Sequence, residues 1–380
     1  MSVVDRLASC VALPSPTPPG RVAEVAAWVE AWATGFGASV TRQHVADGAD
    51  NVVAALRFGD GPRLVFNSHL DVVDPSAQTW ATPPYEPVVR DGRMIGRGTC
   101  DAKGSLVAML AAMERLAASP SGLVGEVLLT AVMGEEAGGL GSAHLVAQGL
   151  RADAAVVGEP TGLAVARAHK GTYMKRLRFG GRAAHSASPW LGRNAVADAA
   201  AFVAATEEET VRLAANPHEA LGPATMTVTV LAGGTLQNTV PDEATLIVDR
   251  RLVPGETHDA CDAQLAALLS ALGVDRPGLE VAPPEVVVAT VPSETAASSP
   301  VVAAALAAVA AAGRPAVRAT GFNAGCDMSK LVGAGIPTVI CGPGSLAEAH
   351  RPDESVPLDE VTDAVGIYEG VARRLLSPGA

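Results

Sequence analysis

The stretch LVFNSHLDVV, residues 64–73, reads as a strand that ends on chemistry. Leu64, Val65 and Phe66 make an apolar run of strand length. His69 and Asp71 follow two residues apart, a spacing that points both side chains the same way if the strand continues. The pattern recurs along the chain. VLLTAVMGEE (127–136) ends on the pair Glu135 and Glu136, and AAVVGEP (154–160) supplies Glu159. GRGTCDAKG (96–104) carries Asp101 on a glycine-flanked loop ahead of a helix, and GPGSLAEAH (342–350) supplies His350 after another apolar run. Strands are expected over 51–56, 64–68, 126–133, 154–158 and 338–341, and helices over 22–34, 102–118 and 301–312. Four of these strands are nearly continuous apolar runs, as expected when helices cover both faces of a sheet. The pattern is that of an α/β layer structure, which gathers ligands at the carboxyl ends of its strands.

Two histidines and three carboxylates make the inventory for two divalent, zinc-like ions sharing one bridging carboxylate, with one glutamate left as a base. Asp101 could span two cations about 3.5 to 4 Å apart; Asp is also a preferred helix N-cap, and both roles are compatible. Asp71 is expected to hold the second ring nitrogen of His69 and so fix its tautomer. Neighbouring side chains diverge along a strand, so Glu135 and Glu136 are expected to divide the work, one binding metal and one accepting a proton. Lys103 is expected to be structural or solvent-facing. His44, His144, His218 and His258 read as ordinary surface histidines.

The middle of the chain has another rhythm. TYMKRLRFGG (172–181) alternates apolar and polar residues, NAVADAAAFVAATEEE (194–209) is helical, and ATMTVTVLAGG (224–234) and EATLIVDRRLV (243–253) alternate again. A second helix, THDACDAQLAALLSALG (257–273), and a last apolar run, EVVVAT (285–290), complete a β-α-β-β-α-β order, the ferredoxin-like split arrangement. This reads as an inserted lid of residues 171–289 within a catalytic domain of residues 1–170 and 290–380. The fold class is therefore α/β, a mixed, largely parallel sheet covered by helices, plus an inserted α+β domain.

Composition narrows the function classes. A net charge of −12 argues against a nucleic-acid or anionic-membrane surface, which needs clustered Lys and Arg, and favours a small-molecule partner. Five scattered cysteines with no Cys-x-x-Cys pattern suggest neither a disulfide framework nor a thiolate zinc cluster and fit the cytoplasm. The N-terminus lacks the basic-then-apolar order of a secretory signal, and the alanine-rich run 301–312 falls short of the roughly 20 residues a membrane span needs. No G-x-S-x-G elbow points to a serine hydrolase.

Taken together, SHLDVV (68–73), GRGTCDAKG, GEEAGGLGS (134–142), VGEPT (157–161), HSASPWLGRNA (185–195), GGTLQNTVPDEA (233–244) and GPGSLAEAHRPDE (342–354) resemble the dizinc aminoacylase and carboxypeptidase family. Acetylornithine deacetylase, succinyl-diaminopimelate desuccinylase and glutamate carboxypeptidase belong to it. The resemblance implies His69 and Glu159 on one ion, Glu136 and His350 on the other, Asp101 bridging and Glu135 as base, with zinc the first choice of metal and cobalt or manganese alternatives. It implies a homodimer through the lid, with His185 stabilising the oxyanion, and Asn238 and Arg251 contacting substrate. Arg250 is expected on the opposite side of its strand from Arg251. Gly325, in GFNAGCDMSKL (321–331), falls where the family holds the distal part of its substrate. VGEPTGLAVARAHKG and GPGSLAEAHRPDE look most like acetylornithine deacetylases, so hydrolysis of N-acetyl-L-ornithine is the expected reaction. Desuccinylase, general aminoacylase and carboxypeptidase activities are the alternatives, and a catalytically silent metal-binding protein is a remote one.

Overall fold

A computed structural model describes residues 1–18, 20–316 and 318–378. The chain divides into two compact units: Met1–Ala168, Glu294–Phe322 and Cys326–Ala380 form the first, and His169–Ser293 with Asn323–Gly325 the second.

The first unit is built on a mixed sheet. Its central strands, Thr338–Ile340, Ala154–Val157, Arg63–His69 and Glu126–Val132, are neighbours in that order and all parallel. Ala49–Arg57 and Ser39–Ala46 extend it antiparallel at one side, and Ala166–His169 joins antiparallel to Thr338–Ile340 at the other. Along Arg63–His69 and Glu126–Val132 every residue after the first is buried, so neither face meets water. The covering helices include Ala23–Gly35, Lys103–Ala118 and Pro300–Ala311, within a residue or two of the expected spans. Val3–Val11 and Leu358–Leu375 are further helices of this core, and sequence reading did not single them out. The core is made of small side chains, Val25, Ala26, Ala108, Ala112, Ala305 and Ala364 among them, with few rings.

A small antiparallel sheet matters more for the site than its size suggests. Ser355–Pro357 pairs with Arg93–Ile95, which pairs with Val88–Arg90, so the segment after His350 is laid beside the segment before Asp101. Lys103 does not face solvent. It is fully buried, and its Nζ donates to the carbonyls of Cys10 (3.2 Å) and Leu13 (2.6 Å), closing the end of the first helix.

In the second unit the strand order is Thr225–Gly233, Glu243–Leu252, Gly171–Gly180, and then Glu280–Val281 and Glu285–Ala289, all antiparallel. The helices Ala195–Ala214 and His258–Asp275 cover one face, packing Phe202 and Leu265 against Leu177, Phe179, Leu246 and Val248 of the sheet. This is the split β-α-β arrangement. The last run, apolar as EVVVA, is wholly exposed rather than buried, because it pairs only with Gly171–Gly180 and stands at an edge.

Candidate metal centre and hydrolytic site

The carboxyl ends of three parallel strands converge on one cluster in the first unit. His69 is the last residue of its strand and is 1% exposed. Its Nε2 stands 3.0 Å from Asp101 Oδ1 and 3.9 Å from Glu159 Oε1. The other oxygen of Asp101, Oδ2, is 3.2 Å from His350 Nε2, and that nitrogen is 3.1 Å from Glu136 Oε2. One carboxylate thus faces two imidazoles, one with each oxygen. Ligand atoms of His69, Asp101 and Glu136 all lie within 4.8 Å of one another, a spacing able to hold a metal ion.

The local geometry departs from the sequence reading in three places. His69 Nδ1 is held by the backbone carbonyl of Asp71 at 2.8 Å, not by its carboxylate, which stands at 3.9 Å. That carboxylate, fully buried, accepts instead the backbone N–H groups of Glu135 (3.2 Å) and Glu136 (3.3 Å). The Glu126–Val132 strand has already ended there, and Gly134 turns the chain with φ +68°, so the two glutamates sit on a turn pinned by Asp71 and not on a strand. Asp101 caps no helix, since the helix begins at Lys103 with Ala102 as N-cap and without a side-chain cap.

Charge in the cluster is out of balance. Burial pushes the carboxyls of Glu135 and Glu159 well above their ordinary range and raises Glu136 too. Burial also acts on Asp101, but hydrogen bonds from His350 and His69 override it and hold its carboxyl low. Bonds from Asp101 and Glu136 carry His350 up to about 10, and His69, although burial opposes it, is held well above the usual imidazole value by Asp101 and Glu159. Buried carboxylates that cannot all ionise, crowded around two imidazoles, are a donor set that divalent cations would neutralise.

Asp327 was not singled out from sequence. It lies in the GFNAGCDMSKL segment and is 2% exposed, and among the described residues neither of its oxygens accepts a well-formed hydrogen bond, Ser142 being a neighbour only. Burial, Asp71 among its neighbours, raises it to about 6 against the opposing pull of Ser142 and His69. A further cleft of about 420 Å³, lined by Arg57, Asp60, Arg63, Glu126, Arg151 and Asp153, is at the opposite, amino ends of the strands. Two of its three arginines are taken up by its own acids: Arg57 by Asp60, Arg63 by Glu126.

The remaining candidates belong to the second unit. His185 and Asn238 are exposed on adjoining loops, with Ser186 N–H donating to the Asn238 carbonyl (2.9 Å) and His185 bridged to Thr239. Arg251 is paired with Asp249 (3.0 Å) and Thr172 (3.0 Å), while Arg250, on the other side of the strand, is buried against Glu256 and Gln264. Gly325 lies by Thr290, whose Oγ1 a Cβ at that position would meet at 3.5 Å. His258 is no bare surface residue, since its ring stacks on Tyr173 at 4.4 Å.

A parallel sheet with imidazoles and carboxylates gathered past its strand ends is the framework of a metal-dependent hydrolase. The chain matches Peptidase family M20/M25/M40 over residues 65–374 and belongs to that family of amide-bond hydrolases. A probable carboxypeptidase of Aspergillus clavatus is 30% identical over 375 residues, covering 89% of this chain and 81% of that protein. The acetylornithine deacetylase of Vibrio campbellii is 26% identical over 350 residues, covering 91% and 89%. In fold, the chain is similar to a tripeptidase of Staphylococcus aureus, with a TM-score of 0.82 at 20% identity over 98% of each chain. Among the described residues no helix is long and apolar enough to cross a membrane.

Proposed function

We propose that the protein hydrolyses the amide bond of an N-acyl-L-amino acid, with N-acetyl-L-ornithine as first-choice substrate, at a centre of two divalent ions, zinc first among them. The observation that carries this reading is Asp101, whose two oxygens each face a different imidazole. In it, His69 and Glu159 hold one ion, His350 and Glu136 the other, and Asp101 both. Such ions, when bound, supply Lewis acidity and bring the acidity of water near neutral pH.

The chain's own residues do the rest. Glu135 takes the proton of the attacking water and returns it to the leaving amine, a role favoured by a carboxyl that burial has made more basic. Asp71 fixes the turn that carries Glu135 and Glu136, through their two amide N–H groups. From the second unit, His185 steadies the acyl oxyanion, Asn238 and Arg251 meet the substrate, and Gly325 leaves room for its distal part. The working form is a homodimer through the lid. The deacetylase among the relatives and the motifs around Glu159 and His350 support the acetyl substrate, while the carboxypeptidase relative keeps a peptide in view as the second reading. Five cysteines, all buried and unpaired, fit a cytoplasmic protein.

The test is amine release by metal-stripped protein, before and after zinc or cobalt is restored, from N-acetyl-L-ornithine, N-acetyl-methionine, N-succinyl-diaminopimelate and a C-terminal dipeptide. Metal-dependent turnover with the ornithine compound preferred is expected. Preference for another compound would keep the centre and replace the substrate, and metal-independent or absent turnover on the whole panel would sink the proposal.

A further inference from the structure

One polar chain beside the cluster, buried at Arg97 and Glu354 and reaching the surface at Gln78, has no part in the roles assigned so far. Arg97 is 1% exposed and Glu354 fully buried, and Arg97 Nη1 donates to Glu354 Oε2 at 2.7 Å. The other oxygen of Glu354 accepts the backbone N–H of Cys100 (2.8 Å) and of Asp101 (3.0 Å). The second arm of the guanidinium, Nη2, donates to Gln78 Oε1 at 2.5 Å, and Gln78 Nε2 donates to the backbone carbonyl of His350 at 2.6 Å. The chain therefore runs from the main chain of Asp101 to the main chain of His350, the two residues whose side chains stand 3.2 Å apart.

Two buried charges are costly to keep unless they do something that an apolar pair could not. Here the arginine fork is what reaches both Glu354 and Gln78, a geometry that a lysine point charge cannot reproduce. His350 needs such a hold. It sits on an exposed loop at φ +62°, a left-handed conformation uncommon for a residue with a side chain. Ser355–Pro357 anchors the far side of that loop to Arg93–Ile95, and Asp353 accepts the N–H of Ala81 at 3.0 Å, but in this network only Gln78 holds the carbonyl of His350 itself.

We propose that Gln78, Arg97 and Glu354 are positioning residues that set the separation of His350 from Asp101, and so tune the affinity of the ion held by His350 and Glu136 more than that of the ion held by His69 and Glu159. The inference rests on the two-ion centre proposed above. Outer-sphere partners of metal ligands are worth about 10 to 100-fold in metal affinity.

The decisive variant is Gln78→Glu, which keeps an oxygen for Arg97 and removes the N–H that His350 receives; Gln78→Ala is its companion. Metal-free full-length protein is titrated with cobalt(II), followed by visible absorption and calorimetry, and a His350→Ala sample marks which of the two binding steps belongs to that ligand. The expected result is a loss of about tenfold or more in that step for both Gln78 variants, with the other step within about threefold of wild type and metal-free unfolding unchanged. Unchanged affinity in both steps, or equal weakening of the two, would overturn the positioning role. Wild-type protein that takes up no cobalt would instead overturn the two-ion centre from which the inference starts.

Discussion

Residue chemistry at the centre separates holding from reacting. Among the described residues the Glu135 side chain makes no hydrogen bond or ion pair with the proposed metal ligands, whereas Glu136 meets His350 at 3.1 Å. Glu135→Gln is therefore expected to lower kcat by about 10² to 10⁴, the usual worth of a general base, while metal content by elemental analysis stays at the wild-type level. Equal loss of metal and turnover would make Glu135 a ligand instead. Adjacent identical residues carry no label for this division, because sequence shows two glutamates and it is the contact of Glu136 with His350 that tells them apart. Asp71 shows the same limit. Its place two residues after His69 signalled that the pair belongs together, but the contact with the ring is made by the main chain and the carboxylate is spent on amides.

Elements meet at this centre so closely that backbone packs on backbone. The strand Thr338–Ile340 leads into Gly342, where an added Cβ would stand 2.6 Å from the Glu159 carbonyl and 2.3 Å from Ser105 Oγ. Ser105 can rotate away; the carbonyl preceding the peptide of Pro160 cannot. Gly342→Ala is expected to cost about 1 to 3 kcal/mol of stability by overpacking and to shift Glu159, which a lower denaturant midpoint together with weaker metal uptake would register. A stability loss with metal affinity intact would mean that the two strand ends give way without moving the ligand. A common device appears on both sides of the centre: a buried carboxylate, Asp71 or Glu354, takes two consecutive amide N–H groups and thereby holds the backbone of a proposed ligand or base. Both acids satisfy donors that a loop end would otherwise leave unpaired.

For the whole molecule, the proposed dimer has a physical starting point in the second unit. Among the described residues Thr225–Gly233 pairs on one side only, with Glu243–Leu252, and it carries Val230 at 50% and Leu231 at 44% exposure. An unprotected, apolar edge is a template for pairing with another chain. Leu231→Lys is expected to shift the protein toward the monomer in sedimentation, with its unfolding midpoint nearly unchanged; a wild-type monomer at the same concentration would remove the dimer. If His185 serves the partner subunit's centre, mixing His185→Ala with Glu135→Ala subunits should restore part of the activity, and no recovery after verified subunit exchange would count against it. Metal should also stabilise the protein as a ligand of the folded state, by about 2.7 kcal/mol at a hundredfold excess over Kd, read as a rise in Tm on adding zinc that Glu136→Ala diminishes. The sequence by itself determined the α/β class and the split arrangement of the middle segment, because buried parallel strands and alternating half-exposed ones leave different periodicities. What only the tertiary structure decided was the pairing of groups distant in the chain: Asp101 between His69 and His350, the Arg97, Glu354 and Gln78 chain, and the burial of Lys103 and Asp327. Those contacts join residues with sequence separations as large as 272, and local pattern holds no record of which distant carbonyl a buried donor will find.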